Sequence, residues 1–139
     1  MVNLSERYVL DTSAVLAFIE NEPGAERVET VLYRESVWLP WIVLLETYYI
    51  SRQEQGKAEA NLRYALLKQT PATIIWQADE AVMLKAARLK AGYRLSLADA
   101  IIAAFAIRKK AILLHKDPEF EAVKEYVDLE ALPYKGSPQ

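Results

Sequence analysis

Four carboxylates stand alone in apolar stretches of the sequence: Asp11, Glu46, Asp99 and Asp117. The first and last of them each follow a short apolar run of the kind that forms a buried parallel strand. Glu46 is the only charge in residues 41–50, and Asp99 is the only charge in residues 95–105. An unpaired buried carboxylate costs several kcal/mol, so each of these four side chains needs a partner.

A hard divalent cation is a suitable partner, because Mg²⁺ and Mn²⁺ take carboxylate oxygens as ligands. Three or four converging carboxylates could hold one or two such ions. The ions could then activate a water and stabilise charge on a phosphoryl oxygen. The chain has no cysteine and a single histidine, His115, so thiolate sites are excluded. Arginine or lysine partners are the alternative, but neither apolar helix carries one close to its acid.

Each acid also has a simpler interpretation when it is taken alone. Asp11 could cap the turn that follows it, and Asp117 could be an ordinary turn residue before a proline. Ser96 lies three residues before Asp99, which is the spacing of a capping box at the start of a helix. Glu46 could pair with an arginine. The four acids share the same apolar context, however, and together they favour a functional cluster.

Short apolar runs alternate with helical patterns along the chain, which favours a parallel sheet with helices on both faces. We therefore predict a three-layer α/β/α sandwich with a mostly parallel central sheet of four to five short strands. The predicted strands are 7–11, 37–39, 72–76, 111–115 and 126–129. The predicted helices are 14–20 (with Ser13 as its N-cap), 25–34, 41–55, 57–69, 79–91 and 96–109, and a helical turn is possible over 119–124.

The chain is expected to form one domain over residues 1–139, with its core over about 7–132 and a loose tail at 133–139. In the helix over 57–69, the apolar spacing predicts an inward face formed by Ala58, Leu62, Ala65 and Leu66. The carboxyl ends of parallel strands share one edge of a sheet, where ligands bind. Asp11 and Asp117 should therefore meet there, with Glu46 and Asp99 reaching the same edge from the starts of their helices.

The composition limits where the protein can act and what it can bind. The formal net charge is −2, so a nucleic acid would have to be held by a local basic patch. The nearest basic candidates in sequence are Arg88, Lys90, Arg94, Arg108, Lys109, Lys110 and Lys116. No apolar run is long enough to cross a bilayer, and residues 1–7 lack the layout of a secretory signal. A cytoplasmic protein without membrane association is expected.

The chain resembles the PIN-domain family, and within it the VapC-type toxins of bacterial and archaeal toxin–antitoxin pairs. The resemblance extends from about Tyr8 to about Leu132. The matching segments are Val9-Leu10-Asp11-Thr12-Ser13-Ala14-Val15-Leu16, Glu46 in its apolar helix, Leu97-Ala98-Asp99-Ala100-Ile101-Ile102-Ala103 and residues 114–120. Where the family pattern usually has threonine two residues before the last aspartate, this chain has His115.

This resemblance implies a metal-dependent ribonuclease in which Asp11, Glu46, Asp99 and Asp117 bind Mg²⁺ or Mn²⁺. Ser13, and also Thr12, would lie beside the acids, with a hydroxyl or backbone N–H near the acidic cluster. Glu119 is a possible further acid, but a surface position is expected for it. The resemblance also implies an RNA substrate, a homodimer and a small antitoxin protein that docks near the site.

Three other function classes share part of this pattern. Phosphatases that form an aspartyl-phosphate also place an aspartate at a strand end, but they need a second aspartate two residues later, where this chain has Ser13. A receiver-like signalling domain would need adjacent acids early in the chain and a lysine at a late strand end, a position that Lys116 fits loosely. A binding or dimerisation module with an inactive site is the third alternative.

Overall fold

The computed structural model describes residues 5–136, and within this range the chain forms five strands in one all-parallel sheet. The strand order is β3-β2-β1-β4-β5. The strands are β1 (Arg7–Leu10), β2 (Ser36–Pro40), β3 (Thr73–Ile75), β4 (Ile112–His115) and β5 (Leu129–Ala131). Six α-helices and one 3₁₀ helix (Pro118–Val123) connect them in the described range. The α-helices are α1 (Thr12–Ile19), α2 (Ala25–Arg34), α3 (Trp41–Gln55), α4 (Lys57–Gln69), α5 (Glu80–Gly92) and α6 (Leu97–Lys109).

The helices cover both faces of the sheet, which confirms the predicted sandwich. Tyr8 and Trp38 point to opposite faces, because Tyr8 is paired with Val37 and side chains alternate along a strand. On one face, Arg27 of α2 bonds to the Tyr8 hydroxyl at 3.0 Å. On the other face, Lys109 of α6 lies 5.3 Å from the centre of the Trp38 ring. The central strands β1 and β4 are almost completely buried, as a doubly covered parallel sheet requires, whereas the edge strands β3 and β5 are partly exposed.

The sheet reverses its strand order at β1, because β2 lies on one side of this strand and β4 on the other. Connections leaving β1 and β4 therefore diverge to opposite faces and open a crevice at the carboxyl edge. The Asp11 backbone N–H donates to the Leu114 carbonyl at 3.0 Å, which fixes the start of this crevice. Both strand ends that carry a candidate acid thus lie side by side.

Helix α1 begins two residues earlier than predicted, at Thr12 instead of Ala14. Asp11, rather than Ser13, is the N-cap, and its side chain accepts a hydrogen bond from the Ser13 backbone N–H. A carboxylate in extended conformation at the strand end is a strong N-cap, so the helix starts as soon as β1 ends. The acid keeps a second oxygen free of this capping bond.

The predicted inward face of α4 is wrong. Leu62 and Leu66 are 53% and 49% exposed, whereas Ala60, Arg63 and Leu67 are buried. The Arg63 guanidinium can be buried because it donates to the Ser51 hydroxyl and pairs with Glu59 and Glu20. These partners come from three different elements, and they offset the cost of removing a charge from water. The more apolar stripe of α4 consequently faces outward.

The last strand also lies later than predicted, at Leu129–Ala131 instead of 126–129. After the 3₁₀ helix the chain continues as turns, because it must return to the beginning of β4 before it can pair in parallel. Within the segment predicted to be loose, Tyr134 packs near the His115 ring and Lys135 lies 3.2 Å from Glu22. Residues 137–139 lie outside the described residues. None of the helices in residues 5–136 is both long and apolar enough to span a membrane.

Candidate active site

All four predicted acids line one cavity of about 290 Å³ at the carboxyl edge of the sheet. We call this cavity the acidic pocket. It is lined by Asp11, Thr12, Ser13, Leu16, Glu46, Ile50, Ser96, Asp99, Asp117 and Glu119. The acids arrive from the end of β1, from α3, from the first turn of α6 and from the loop after β4, so the fold brings distant parts of the sequence together.

Asp11 is the most constrained acid of the pocket. It is 2% exposed, and its Oδ2 accepts hydrogen bonds from the Ser13 backbone N–H at 3.0 Å and from the Ser13 hydroxyl at 2.5 Å. Its other oxygen, Oδ1, is buried and has no hydrogen-bond partner among the described residues. Nearly all buried polar atoms have a partner, so this oxygen calls for a ligand that the polypeptide does not supply.

Thr12 and Ser13 hold the pocket together through their hydroxyl groups. The Thr12 hydroxyl donates to Glu46 at 2.6 Å, which fixes the half-buried carboxylate on α3. The Ser13 hydroxyl donates to Asp11 and accepts a bond of 2.8 Å from the backbone N–H of Lys116. Both hydroxyl residues therefore lie beside the acids, and each donates a hydrogen bond directly to one carboxylate.

Asp99 is on the first turn of α6 and is 7% exposed. Its backbone N–H donates to the Ser96 hydroxyl at 3.1 Å, so the predicted cap is present. The cap uses the backbone of Asp99 and leaves its carboxylate to face the pocket. The capping and functional interpretations of this residue are thus compatible.

Burial and mutual repulsion raise the pKa of two pocket acids in the metal-free protein. Loss of hydration, followed by the charges of Asp11, Asp117 and Glu46, raises the pKa of Asp99 to about 8. Loss of hydration also raises the pKa of Asp11 to about 6, although the two hydrogen bonds from Ser13 partly oppose this shift. A bound cation would reverse the balance by favouring the ionised carboxylates.

Glu119 belongs to the pocket, although a surface position was expected for it. It is exposed, yet Asp99, Asp117 and Glu119 each offer a carboxylate oxygen, and these oxygens lie within 4.8 Å of one another. Asp117 caps the 3₁₀ helix by accepting a bond of 2.9 Å from the Glu119 backbone N–H. The sequence carries no distinguishing signal for this position, because Glu119 lies in a mixed polar segment.

His115 is structural in this arrangement. It is fully buried between Phe120 and Tyr134, and burial lowers the pKa of its imidazole. Its Nδ1 accepts a hydrogen bond of 3.1 Å from the Asp117 backbone N–H. The imidazole thus takes the place of a hydroxyl at this position and orders the backbone of the following acid.

None of the basic residues suggested for RNA binding lines the acidic pocket. Lys116 is 8% exposed, and its Nζ donates to the Pro23 carbonyl at 3.0 Å, so it is not a free surface cation. Lys109 stacks against Trp38 at the far end of α6. Ten residues of helix separate it from Asp99, which corresponds to about 15 Å.

The donor set of the pocket fits a hard divalent cation. It consists of carboxylate and hydroxyl oxygens, which suit Mg²⁺ or Mn²⁺ better than softer metals. The unpartnered Asp11 Oδ1 and the close approach of Asp99, Asp117 and Glu119 are the two observations that support the fit.

Comparisons with known proteins agree with this architecture. The family model of the PIN domain matches residues 8–126. A comparison with curated proteins gave no significant match. Among solved structures, VapBC2 from Rickettsia felis bound to a promoter DNA fragment superposes with a TM-score of 0.75 and 19% identity. That match covers 91% of this chain and 99% of the other.

Two further solved structures have the same fold. VapBC-1 from nontypeable Haemophilus influenzae gives a TM-score of 0.70 at 21% identity and covers 90% of this chain and 97% of the other. VapC20 from Mycobacterium tuberculosis, described as a Sarcin-Ricin loop cleaving toxin, gives a TM-score of 0.68 at 16% identity. That match covers 84% of this chain and 94% of the other. The resemblance seen in the sequence is therefore confirmed, and the chain belongs to the PIN-domain family.

Proposed function

We propose that this protein is a Mg²⁺- or Mn²⁺-dependent endoribonuclease and the toxin of a type II toxin–antitoxin pair. The observation that carries the proposal is the acidic pocket itself. Five acids from four separate parts of the fold line this pocket, and one of them, Asp11, has a buried carboxylate oxygen with no partner among the described residues. A fold that only needed stability would gain nothing from such a cluster, because like charges repel and burial is costly.

Asp11, Glu46 and Asp99 would hold the metal ion, with Asp117 and Glu119 assisting at the open side of the pocket. A bound divalent ion supplies an activated water and stabilises charge on the phosphodiester. Ser13 keeps Asp11 oriented, and Thr12 does the same for Glu46. The expected products of RNA hydrolysis are a 5′-phosphate and a 3′-hydroxyl. Cellular RNA is the substrate class, so we propose a cytoplasmic location.

Protein partners are also part of the proposal. A groove of about 690 Å³ on α3 and α4 is lined mainly by aromatic and aliphatic side chains, among them Trp41, Leu45, Tyr49 and Trp76. Exposed apolar patches of this kind are typical of protein interfaces. We propose that the protein forms a homodimer and binds a small antitoxin that docks near the site. Light scattering of the purified protein, with and without a co-expressed antitoxin, would test both.

The rival enzyme classes gain no support from the pocket. An aspartyl-phosphate phosphatase needs a second aspartate where this chain has Ser13. The backbone N–H and the hydroxyl of Ser13 both donate hydrogen bonds to Asp11. The lysine that a receiver domain would present is turned away toward the Pro23 carbonyl. A non-catalytic binding module is the remaining alternative, and an activity assay separates it from the nuclease.

The test is cleavage of single-stranded and structured RNA with Mg²⁺ or Mn²⁺, with and without EDTA. Asp99→Asn keeps the shape of the side chain but removes a metal-binding charge, and we expect activity to fall at least about 100-fold. Glu29→Gln removes an equal charge from an exposed position on α2 and should have no effect. Cleavage that persists in EDTA, or an Asp99→Asn variant as active as the unaltered protein, would contradict the proposal.

A further inference from the structure

Lys116 is a buried lysine next to a candidate metal ligand, and no step of the proposed reaction uses its charge. Its side chain is only 4% exposed. The ammonium group donates to the Pro23 carbonyl at 3.0 Å and lies 3.5 Å from a Glu22 carboxylate oxygen. Lysine is rarely buried in this way, since losing the hydration of an ammonium group is costly. The burial of this ammonium group therefore indicates a structural role that an exposed lysine could not fill.

The backbone of the same residue is anchored as firmly as its side chain. The Lys116 N–H donates to the Ser13 hydroxyl at 2.8 Å, and that hydroxyl donates in turn to Asp11. Lys116 therefore connects the loop after β4 to two places, the first turn of α1 and the turn that follows α1. Asp117 is the next residue and cannot move independently of these two anchors.

The loop needs an anchor because its acids repel one another. Oxygens of Asp117, Glu119 and Asp99 lie within 4.8 Å, and α6 holds Asp99 rigidly. Whenever the three carboxylates are ionised without a cation, repulsion drives the loop that carries Asp117 and Glu119 outward. An anchored loop keeps its ligands in place and spares the protein that reorganisation when the metal binds.

We propose that Lys116 is a positioning residue that holds Asp117 and Glu119 in metal-binding geometry by tying the loop after β4 to both ends of α1. The inference rests on the proposed metal-dependent function. It also predicts a change in Mn²⁺ affinity whose direction is opposite to the one expected from charge alone. A positive charge near the pocket repels a divalent cation, so removing that charge alone would tighten Mn²⁺ binding, whereas losing the anchor would weaken it.

The test is the Mn²⁺ affinity of purified variants, measured by titration calorimetry. Lys116→Met should bind Mn²⁺ about tenfold more weakly, as is typical when a group supporting a metal ligand is lost. Lys116→Arg keeps a donor for the Pro23 carbonyl and should largely restore binding. Lys135→Met is the matched control, because Lys135 also pairs with Glu22 but its side chain is 78% exposed. It removes the same charge and should leave the affinity unchanged.

Two further readouts separate positioning from general stability. The melting temperature in EDTA reports any loss of general stability, and Mn²⁺ affinity is compared at a temperature at which every variant is folded. In RNA cleavage, Lys116→Met should lower kcat while leaving KM unchanged. Unchanged or tighter Mn²⁺ binding by a folded Lys116→Met variant would overturn the role of Lys116. A failure of the unaltered protein to bind Mn²⁺ would instead count against the metal site, and with it the proposed function.

Hydrogen exchange of the unaltered, metal-free protein tests the anchor without any substitution. The amide protons of Lys116 and Asp117 should exchange as slowly as those of β4, because their donors are bonded to Ser13 and His115. Exchange at the rate of an exposed loop would show that the loop is not held before metal binds, and the proposal would then be wrong.

Discussion

Asp11 and Asp99 are buried carboxylates that face other carboxylates, so their charged forms destabilise the metal-free fold. For an acid whose pKa is higher in the folded than in the unfolded protein, the folded state binds the extra proton. The penalty is absent below about pH 4, where both states are protonated. It grows as the pH rises and is complete above the folded pKa, which is about 8 for Asp99.

This sign predicts how Asp99→Asn changes stability with pH. Asparagine cannot ionise, so in EDTA at pH 8.5 we expect the variant to melt roughly 5–15 °C above the unaltered protein. At pH 4.5 the two proteins should melt within a few degrees of each other. Calorimetry over this range checks the prediction, and a difference that is the same at both pH values would contradict it.

At the scale of single elements, α4 shows how far apolar spacing can be trusted. The bounds of α3 and α4 follow from the sequence because Pro40 and Gly56 mark their starts. The inward face of α4 does not, because burying Arg63 depends on Ser51 and Glu20 in other elements. Local periodicity contains no information about such distant partners.

The orientation of α4 makes a direct prediction for stability. Leu67 is 3% exposed, and Leu67→Ala should lower the free energy of unfolding by about 2–4 kcal/mol. Leu62 and Leu66 are about half exposed, and their change to glutamine should cost less than about 0.5 kcal/mol in the monomer. Urea denaturation of the three variants is the measurement. The reverse ranking would mean that the sequence-based face was the correct one.

Other elements of the site were predictable for identifiable reasons. Asp11, Glu46 and Asp99 can be recognised from the sequence, because each is a single charged residue in an apolar stretch. Glu119 lies in a mixed polar segment, where a ligand and a solvated acid look alike. Its place in the pocket is visible only in the structure, where its carboxylate lies close to those of Asp99 and Asp117.

For the whole molecule, metal binding and folding should be coupled, because the acidic pocket exists only in the folded state. A ligand at 100 times its Kd stabilises the fold by about 2.7 kcal/mol, and for a chain of this size that corresponds to roughly 5–10 °C in Tm. We expect Mn²⁺ to produce such a shift in the unaltered protein and little or none in Asp11→Asn. A thermal melt with and without EDTA measures it, and an Mn²⁺-independent Tm would rule out the proposed site.

The side-by-side arrangement of β1 and β4 also bears on when the protein becomes active during its synthesis. The bond between Ser13 and Lys116 joins residues that are 103 positions apart, and pairing over such a separation is slow to form. A ribosome that has made the first hundred residues has produced Asp11, Glu46 and Asp99, but neither β4 nor the acids that follow it. The emerging chain therefore lacks one wall of its pocket until β4 and residues 117–119 have been made. Until then, the unfinished chain would be unable to carry out the RNA cleavage proposed above.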